Sequence, residues 1–334
     1  MTGSGSGSAT RLRRLALALA LALPLVLAAT PAEAAPDPTT SYYVRSTGTA
    51  AANRWFDYGC AQGQKDAARP GAQNRIVVLD FGTPMLVNGV YGFDLPGGAT
   101  GEFRSRPEAQ PVAVNFAVGY YACTGEDRAS VITLAIGTTN NGTQVRDNGY
   151  QQGRAFANFL KAIASAVAAS GASSQVVVRG AIDVEMDWNT FADTREWYEG
   201  YDSLTDAPIY DFGDAAGCSQ TTTNSTCNNG WTQNRVWWVS DGFLLAQALP
   251  EIYTNSGSQA RQWYQIARHA HVNKPANMVI SGTLTQYGAC QQVGGCATTD
   301  NTPAEGWTQL YNLLNADPTV RHRPRWSADI SYSS

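Results

Sequence analysis

The sequence predicts a single-domain α/β protein, and a (β/α)8-type barrel is the architecture that fits it best. Beyond residue 74, short β-branched runs alternate with amphipathic segments, which is typical of βα units around a parallel sheet. About six or seven such units follow one another without a shift in composition that would mark a second domain. The chain of 334 residues is long enough for one large barrel. A doubly wound open sheet is the alternative.

The individual elements are predicted from side-chain periodicity and from turn residues. β-Branched or apolar runs bounded by turn residues predict strands over residues 76–81, 131–136, 176–185, 208–212, 236–240, 278–284 and 326–330. Apolar side chains at helical spacing predict helices over residues 111–122, 150–170, 197–204, 243–253, 259–272 and 304–314. The helical pattern is clearest where Phe156, Leu160 and Ile163 share one face and Gly171 follows as a C-cap. The last strand is expected to close the sheet.

The start of the chain has the three parts of a secretory signal peptide. Three arginines precede the uncharged apolar segment 15–29, and an Ala-Glu-Ala pattern at 32–34 provides a cleavage site. The apolar segment is shorter than the ~20 residues that span a bilayer, and Pro24 interrupts it. We therefore expect cleavage before Ala35 and a protein that is secreted and works in the extracellular space.

The predicted organisation has three parts. Residues 1–34 form the signal peptide, and residues 35–74 form a Pro-containing leader and an N-terminal segment. Residues 75–334 form the barrel domain.

Composition and charge argue against several partners and cofactors. The formal net charge is −4 and the basic residues are scattered, which argues against nucleic-acid binding. No segment after residue 34 is long and apolar enough for stable membrane insertion. His269 and His271 lie two apart in a predicted helix and face different sides, so they make a poor metal pair. We expect no cofactor and no bound metal, and a monomer.

Six cysteines in an exported chain predict disulfide bonds rather than metal thiolates. Cys218 with Cys227 and Cys290 with Cys296 would each close a short loop. Cys60 with Cys123 would then tie the N-terminal segment to the first predicted barrel helix. Other connectivities remain open at this point, because the pairing rests on proximity in the sequence.

Acidic residues end several of the predicted strands. Because side chains alternate along a strand, Asp183 and Glu185 share one face, opposite Val184 and Met186. Asp80 lies at the end of the strand predicted over residues 76–81, and Asp241 follows the strand predicted over residues 236–240. Barrel enzymes keep their catalytic groups at the carboxyl ends of the strands, so these acids are candidate site residues.

Neighbouring carboxylates at such a position are suited to acid catalysis. Like charges and desolvation both oppose ionisation, so one carboxyl group can stay protonated while its neighbour is charged. Aromatic side chains nearby can stack on the apolar face of a sugar ring and donate an indole N–H. Trp188, directly after the acids, and Trp237, beside the predicted strand 236–240, are the candidates for this role, with Asp241 as a further substrate-binding residue.

The triplet Asp183-Val184-Glu185 resembles the Asp-x-Glu motif of barrel glycosidases that act on N-acetylated amino sugars. The closest resemblance is to family 25 glycoside hydrolases, the muramidase-type lysozymes, which also have an Asp at the end of their first strand, as Asp80 is placed here. The resemblance implies that Glu185 is the proton donor. It also implies that Asp183 and Asp80 orient the N-acetyl group or stabilise the oxocarbenium ion.

The sequence therefore predicts a secreted glycoside hydrolase that acts on an N-acetylhexosamine polymer, such as the peptidoglycan of a cell wall. Two alternatives remain open. One is a non-catalytic secreted barrel that binds a glycan or a protein. The other is a metal-dependent hydrolase in which Asp80, Asp183 and Glu185 are oxygen ligands. The linkage cleaved and the anomeric outcome are not predicted.

Overall fold

A computed structural model describes residues 33–97 and 102–333 of the chain. The predicted signal peptide lies almost entirely outside the described residues. Among the helices that the structure describes, none has both the length and the apolar character needed to cross a membrane.

Eight parallel strands form a nearly closed barrel, which confirms the predicted (β/α)8 class. In chain order the elements of the first half are β1 (Thr39–Tyr43), α1 (Thr49–Ala67), β2 (Asn74–Asp80), β3 (Thr83–Val87), β4 (Val90–Asp94), β5 (Phe103–Ser105), α2 (Arg106–Cys123), β6 (Val131–Thr139), α3 (Thr143–Ala169) and β7 (Val176–Asp183). Those of the second half are α4 (Phe191–Asp202), β8 (Ile209–Asp211), α5 (Gln233–Trp237), β9 (Ala246–Ala248), α6 (Ser258–Asn273), β10 (Gly282–Thr285), α7 (Tyr287–Val293), α8 (Pro303–Ala316) and β11 (Trp326–Tyr332).

The barrel strands follow one another in the order β10, β11, β1, β2, β6, β7, β8 and β9. Two isolated parallel bridges, Ala248 with Ile280 and Glu251 with Leu284, join the ends of this sheet. Strands β3, β4 and β5 form a separate antiparallel sheet between β2 and α2. The loop that follows β4 makes one wall of a cleft at the carboxyl ends of the barrel strands.

The apolar core has two layers because inward and outward residues alternate along each barrel strand. A smaller cluster fills the lumen and includes Ile76, Val78, Ala181, Leu249 and Trp326. A larger cluster lies between the strands and the surrounding helices. The filled lumen separates the two ends of the barrel, so that a site at one end does not communicate with the other through open space.

Helices α1 and α2 approach each other closely at glycines. A Cβ atom at Gly119 would lie 2.0 Å from the carbonyl oxygen of Phe56, and one at Gly59 would lie 2.0 Å from that of Phe116. The disulfide Cys60–Cys123 links the same two helices. The absence of side chains at these glycines is therefore what allows the two helix backbones to touch.

We expect Gly119→Ala to destabilise the protein by about 3 kcal/mol, because the added methyl group forces two disulfide-linked helices apart. Thermal unfolding followed by circular dichroism would measure the loss. The control is Ala122→Gly at an exposed site of α2, which should cost only about 1 kcal/mol through helix propensity. Equal stability of Gly119→Ala and the wild type would contradict the close helix contact.

Two sequence predictions on chain organisation need correction. The N-terminal segment is part of the barrel, because β1 pairs with both β11 and β2. The barrel therefore begins at Thr39 rather than at residue 75. Pro36 and Pro38 suggested a separate leader, but the strand starts directly after them, where proline is tolerated.

The region 236–253 is the other correction, since its predicted strand and helix are exchanged. The predicted strand 236–240 is helical: the Thr232 side chain accepts a hydrogen bond from the Arg235 N–H and caps α5, which continues as a π-helical turn. The predicted helix 243–253 contains strand β9, which is hydrogen-bonded to β8. Aromatic and β-branched residues suggested a strand locally, whereas pairing with β8 decided where the strand lies.

The three predicted disulfides are confirmed. The structure contains Cys60–Cys123, Cys218–Cys227 and Cys290–Cys296, and none of the six cysteines is free.

Candidate active site

A cleft of about 400 Å³ opens at the carboxyl ends of the barrel strands. Three of its acidic residues lie at the ends of barrel strands: Asp80 is the last residue of β2, Asp183 is the last residue of β7, and Glu251 follows β9. Asp94, the last residue of β4, lines the cleft as well. Glu185 lies two residues beyond Asp183 and also lines the cleft. Parallel strands bring their carboxyl ends to one edge, so acids far apart in the sequence meet here.

Three of these carboxyl groups form a compact cluster. One oxygen from each of Asp183, Glu185 and Glu251 lies within 4.8 Å of the other two. Asp183 and Glu251 are buried, whereas Glu185 is half-buried. The structure thus brings together the two acids of the predicted motif and adds a third that the sequence analysis missed.

The buried acids differ in their hydrogen bonding. The Tyr253 hydroxyl donates to Glu251 Oε1, whereas Asp183 Oδ1 is buried and has no hydrogen-bond partner among the residues that the structure describes. Buried carboxylate oxygens without a donor are unusual, since the loss of hydration is normally offset by a hydrogen bond. Asp183 therefore presents an unsatisfied acceptor on the floor of the cleft.

The turn that carries Glu185 is held by asparagine side chains. The Glu185 N–H donates to Asn140 Oδ1 at 3.1 Å, and Asn140 Nδ2 donates to the Glu185 carbonyl at 3.2 Å. Asn189 Nδ2 in turn donates to the Asn140 carbonyl at 2.6 Å. On the opposite face, Val184 and Met186 are buried in the outer core, as the alternation predicted. The hydrogen bonds with Asn140 and the buried neighbours Val184 and Met186 therefore together direct the Glu185 side chain toward the cleft.

The environment raises the pKa of every acid in the cluster. Burial, followed by the charges of Asp214 and Asp187, raises the pKa of Glu185 to about 7. Burial, followed by the charges of Glu251 and Glu185, raises the pKa of Asp183 well above its usual range. Burial, followed by the charges of Glu185 and Asp214, raises the pKa of Glu251 well above its usual range. Among the described residues no cation forms an ion pair with these acids, so only protonation or a ligand can relieve the repulsion.

Asp80 is placed by a tight turn. Its Oδ1 accepts the Gly82 N–H at 2.9 Å, and Gly82 has a φ of 76°, which favours glycine. A Cβ atom at Gly82 would also lie 2.5 Å from the Asp94 carbonyl oxygen. Burial raises the pKa of Asp80 to about 7, and the hydrogen bond from Gly82 opposes this only in part.

The raised pKa of Asp80 predicts that stability depends on pH. The pKa in the folded state lies above that of an unfolded aspartate, ~3.9, so protonation favours folding. The stabilisation is complete below about pH 4 and is lost as the pH rises through about 7. We expect Asp80→Asn to raise the melting temperature at pH 8 by several degrees and to leave it unchanged near pH 4. Circular dichroism across this range would measure it, with the exposed Asp202→Asn as a control that stays parallel to the wild type.

The predicted substrate-binding residues are divided between the two ends of the barrel. Trp188 lines the cleft, in agreement with the prediction. Asp241 does not: it lies in the π-helical turn and accepts a hydrogen bond from the Val279 N–H, which precedes β10, at the opposite end of the barrel. Trp237 lies against Gly242 of the same turn, with the Lys274 ammonium group 4.2 Å from its ring centre. The prediction that both residues belong to the site depended on a strand over residues 236–240, and this segment is helical.

Four site residues were missed by sequence reasoning. Glu251 lay inside a falsely predicted helix, although Ala248-Leu249-Pro250 before it reads as a strand end. Asp214 follows the correctly predicted fifth barrel strand, and its Oδ1 accepts a hydrogen bond from the Met186 N–H at 3.5 Å. Tyr43 and Tyr253 line the cleft, and Gln286 donates to the Tyr43 hydroxyl at 2.8 Å. The tyrosines carry no local pattern by which they could be recognised.

The structure also changes one premise of the resemblance to family 25 glycoside hydrolases. Asp80 ends the second barrel strand, because β1 precedes β2 in the chain. No protein-family model, curated protein or solved structure matches this chain.

Proposed function

We propose that this protein is a secreted glycoside hydrolase that cleaves an N-acetylhexosamine-containing polymer, such as peptidoglycan, with Glu185 as the general acid. The observation that carries the proposal is the juxtaposition of a half-buried carboxyl group with a buried one, within 4.8 Å, in an open cleft of the barrel. Most glycosidases use two carboxyl groups whose different surroundings keep one protonated and the other ionised. The three disulfides are in keeping with an oxidising, extracellular setting.

The proton donor must be protonated at working pH and must reach the glycosidic oxygen. Glu185 meets the first condition because burial and the nearby Asp214 and Asp187 raise its pKa to about 7. It meets the second because it is the most exposed member of the cluster and lines the cleft. Its backbone, held by Asn140, keeps the carboxyl group in place as the proton leaves.

The second carboxyl group stabilises the positive charge that develops on the sugar ring. Asp183 lies deeper than Glu185 and burial raises its pKa, so it acts as a carboxylate when the positive charge that develops on the sugar stabilises its ionised form. Its unpartnered Oδ1 can also accept the amide N–H of an N-acetyl group, which supports an amino sugar as the substrate. Trp188 and Tyr43 on the cleft wall can contact the apolar face of the ring.

The spacing of the acids favours retention of the anomeric configuration. Retaining enzymes place their carboxyl groups about 5 Å apart, whereas inverting enzymes need about 6.5–9.5 Å to admit a water molecule. One oxygen of Asp183 and one of Glu185 lie within 4.8 Å of each other, which is nearer to the retaining than to the inverting separation. A covalent intermediate on Asp183, or attack by the substrate's own N-acetyl oxygen, would give the same stereochemical result.

We expect the protein to release reducing ends from peptidoglycan or chitin and not from a neutral glucan. Nuclear magnetic resonance of the first products should show the anomer of the substrate linkage before mutarotation. The assay needs the disulfide-intact protein purified from a secreting host. An inverted first product would contradict the assignment of Asp183 as the second group. No release from any glycan, together with measurable binding, would favour the non-catalytic barrel.

A divalent-cation site is the second candidate, because three carboxyl oxygens within 4.8 Å of one another can surround a cation. Oxygen ligands of this kind suit Ca²⁺, Mg²⁺ or Mn²⁺, and the unpartnered Asp183 Oδ1 would gain a partner. In this case the three carboxylates would be deprotonated and hold the cation, and the cation would supply the polarisation of a water molecule. The set consists of Asp183, Glu185 and Glu251, not of the residues Asp80, Asp183 and Glu185 that the sequence suggested.

Chelation separates the two candidates. A glycosidase of the proposed type should keep its full activity after dialysis against EDTA, and its melting temperature should not respond to added Ca²⁺, Mg²⁺ or Mn²⁺. A cation site would raise the melting temperature by mass action, and Glu251→Gln would abolish that rise. Activity that is lost on chelation and restored by one cation would overturn the general-acid role of Glu185.

A further inference from the structure

A second cavity, of about 430 Å³, lies at the amino-terminal end of the barrel, opposite the candidate active site. It is bounded by the first residues of several barrel strands, among them Asn74 of β2 and Trp326 of β11, and by the residues that precede β10 and β11. The apolar plug of the lumen separates it from the acidic cleft. Its size falls in the range of small-molecule sites.

Three arginines line this cavity and no acidic residue does. Arg179 lies on β7 with the same side-chain parity as Asp183, so it faces the lumen four residues before Asp183. Arg323 and Arg325 come from the segment before β11. In the part of the chain that the structure describes, no carboxylate forms an ion pair with Arg179 or Arg325. We name this feature the arginine cavity.

The cationic groups are held in place by their surroundings. The backbone N–H of Arg325 donates to the Ser281 carbonyl at 2.7 Å and fixes this part of the chain, and the Arg325 guanidinium lies 5.3 Å from the centre of the Trp326 ring. Arg179 Nη1 donates to the Val178 carbonyl at 3.0 Å. Both guanidinium groups act on one phenol: burial raises the pKa of Tyr210, and the charges of Arg179 and Arg325 partly offset the rise. The guanidinium groups of Arg179 and Arg325 therefore lie near the same cavity.

Several described carboxylates, among them Asp241 and Asp206, lie at this end of the barrel, but none of the described carboxylates lines the arginine cavity. Asp241 accepts the Val279 N–H, and Asp206 lies in the exposed loop before β8. Positive charges gathered at one spot without neighbouring carboxylates raise the local positive potential, which favours the binding of an anion there.

We propose that the arginine cavity binds the phosphate group of a phosphorylated polyhydroxyl compound, such as a sugar phosphate. A phosphate monoester carries a charge of about −1.5 to −2 at neutral pH, which matches two guanidinium groups, and arginine forms paired hydrogen bonds with its oxygens. Trp326 and Tyr210 offer flat apolar surfaces to a sugar ring, and the amides of Asn74 and Gln247 can bond its hydroxyls. This proposal is independent of the function proposed above.

Isothermal titration calorimetry of the wild-type protein with glucose 6-phosphate tests the proposal, with glucose and inorganic phosphate as separate titrants. We expect glucose 6-phosphate to bind at least tenfold more tightly than inorganic phosphate, and glucose alone not to bind. Arg179→Gln and Arg325→Gln should each weaken the binding at least tenfold. Arg321→Gln, an exposed arginine of the same segment that does not line the cavity, should not.

The location is tested with Glu185→Gln, which should bind glucose 6-phosphate as the wild type does, because the acidic cleft lies at the other end of the barrel. If Arg179→Gln does not fold by circular dichroism, the exposed Arg325→Gln decides the question. Three results would overturn the proposal: no binding, binding no tighter than that of inorganic phosphate, or an equal loss in Arg321→Gln.

Discussion

Glu185→Gln should lower the rate of hydrolysis of a natural polymer at least ~100-fold, because the amide keeps the shape of the side chain but cannot give up a proton. The pH profile should change with it. In the wild type the activity is expected to fall as the pH rises through about 7, where Glu185 loses its proton. The residual activity of the variant should lack this alkaline decline. Both are measured as initial rates of reducing-end release between pH 4 and 9.

The control for this prediction is Glu196→Gln, an exposed glutamate on α4 outside the cleft. It changes the net charge in the same way and should keep wild-type activity at every pH. A Glu185→Gln variant that folds and keeps its activity would place the proton donor elsewhere. Glu251, the other glutamate of the cluster, would then be the next residue to test.

Asp183→Asn should lower turnover by about 100-fold or more, since the charge that faces the developing oxocarbenium ion is removed. The variant is expected to fold and to become more stable than the wild type as the pH rises through the raised pKa of Asp183. Asp183 is buried beside Glu251 and Glu185, and its ionisation is opposed by both burial and repulsion. A loss of activity combined with a gain in stability is the result that distinguishes a catalytic carboxylate from a structural one.

Asp241→Asn is the matched control for Asp183→Asn, because it makes the same chemical change at the other end of the barrel. Its activity should equal that of the wild type. An Asp183→Asn variant that loses activity because it unfolds would show that Asp183 supports the fold instead. Equal losses of activity in the two variants would mean that a charge far from the cleft matters as much as one inside it.

Those parts of the fold and the candidate site that depend on local pattern could be read from the sequence. The alternation of Asp183, Val184, Glu185 and Met186 was sufficient to place two acids on one face and two apolar side chains on the other, because strand geometry is strictly periodic. The barrel class followed from repeated βα units. The disulfide pairing followed from an even number of cysteines. Two pairs each close a short loop, and the two remaining cysteines form the third disulfide.

Features that depend on which segments meet in space were decided only by the tertiary structure. Residues 236–240 are rich in valine and tryptophan and read as a strand, yet β8 pairs with Ala246–Ala248 and leaves them helical. Because the predicted strand and helix were exchanged, Glu251 was not recognised as a site residue. For the same reason Asp241 and Trp237 were wrongly predicted to lie in the site. β1 likewise has only five residues, too few for a periodic signal, and exists because β11 and β2 supply partners on both sides. Backbone hydrogen bonds between distant strands outweigh the small local preferences of their residues, and such pairings leave no pattern in a single sequence.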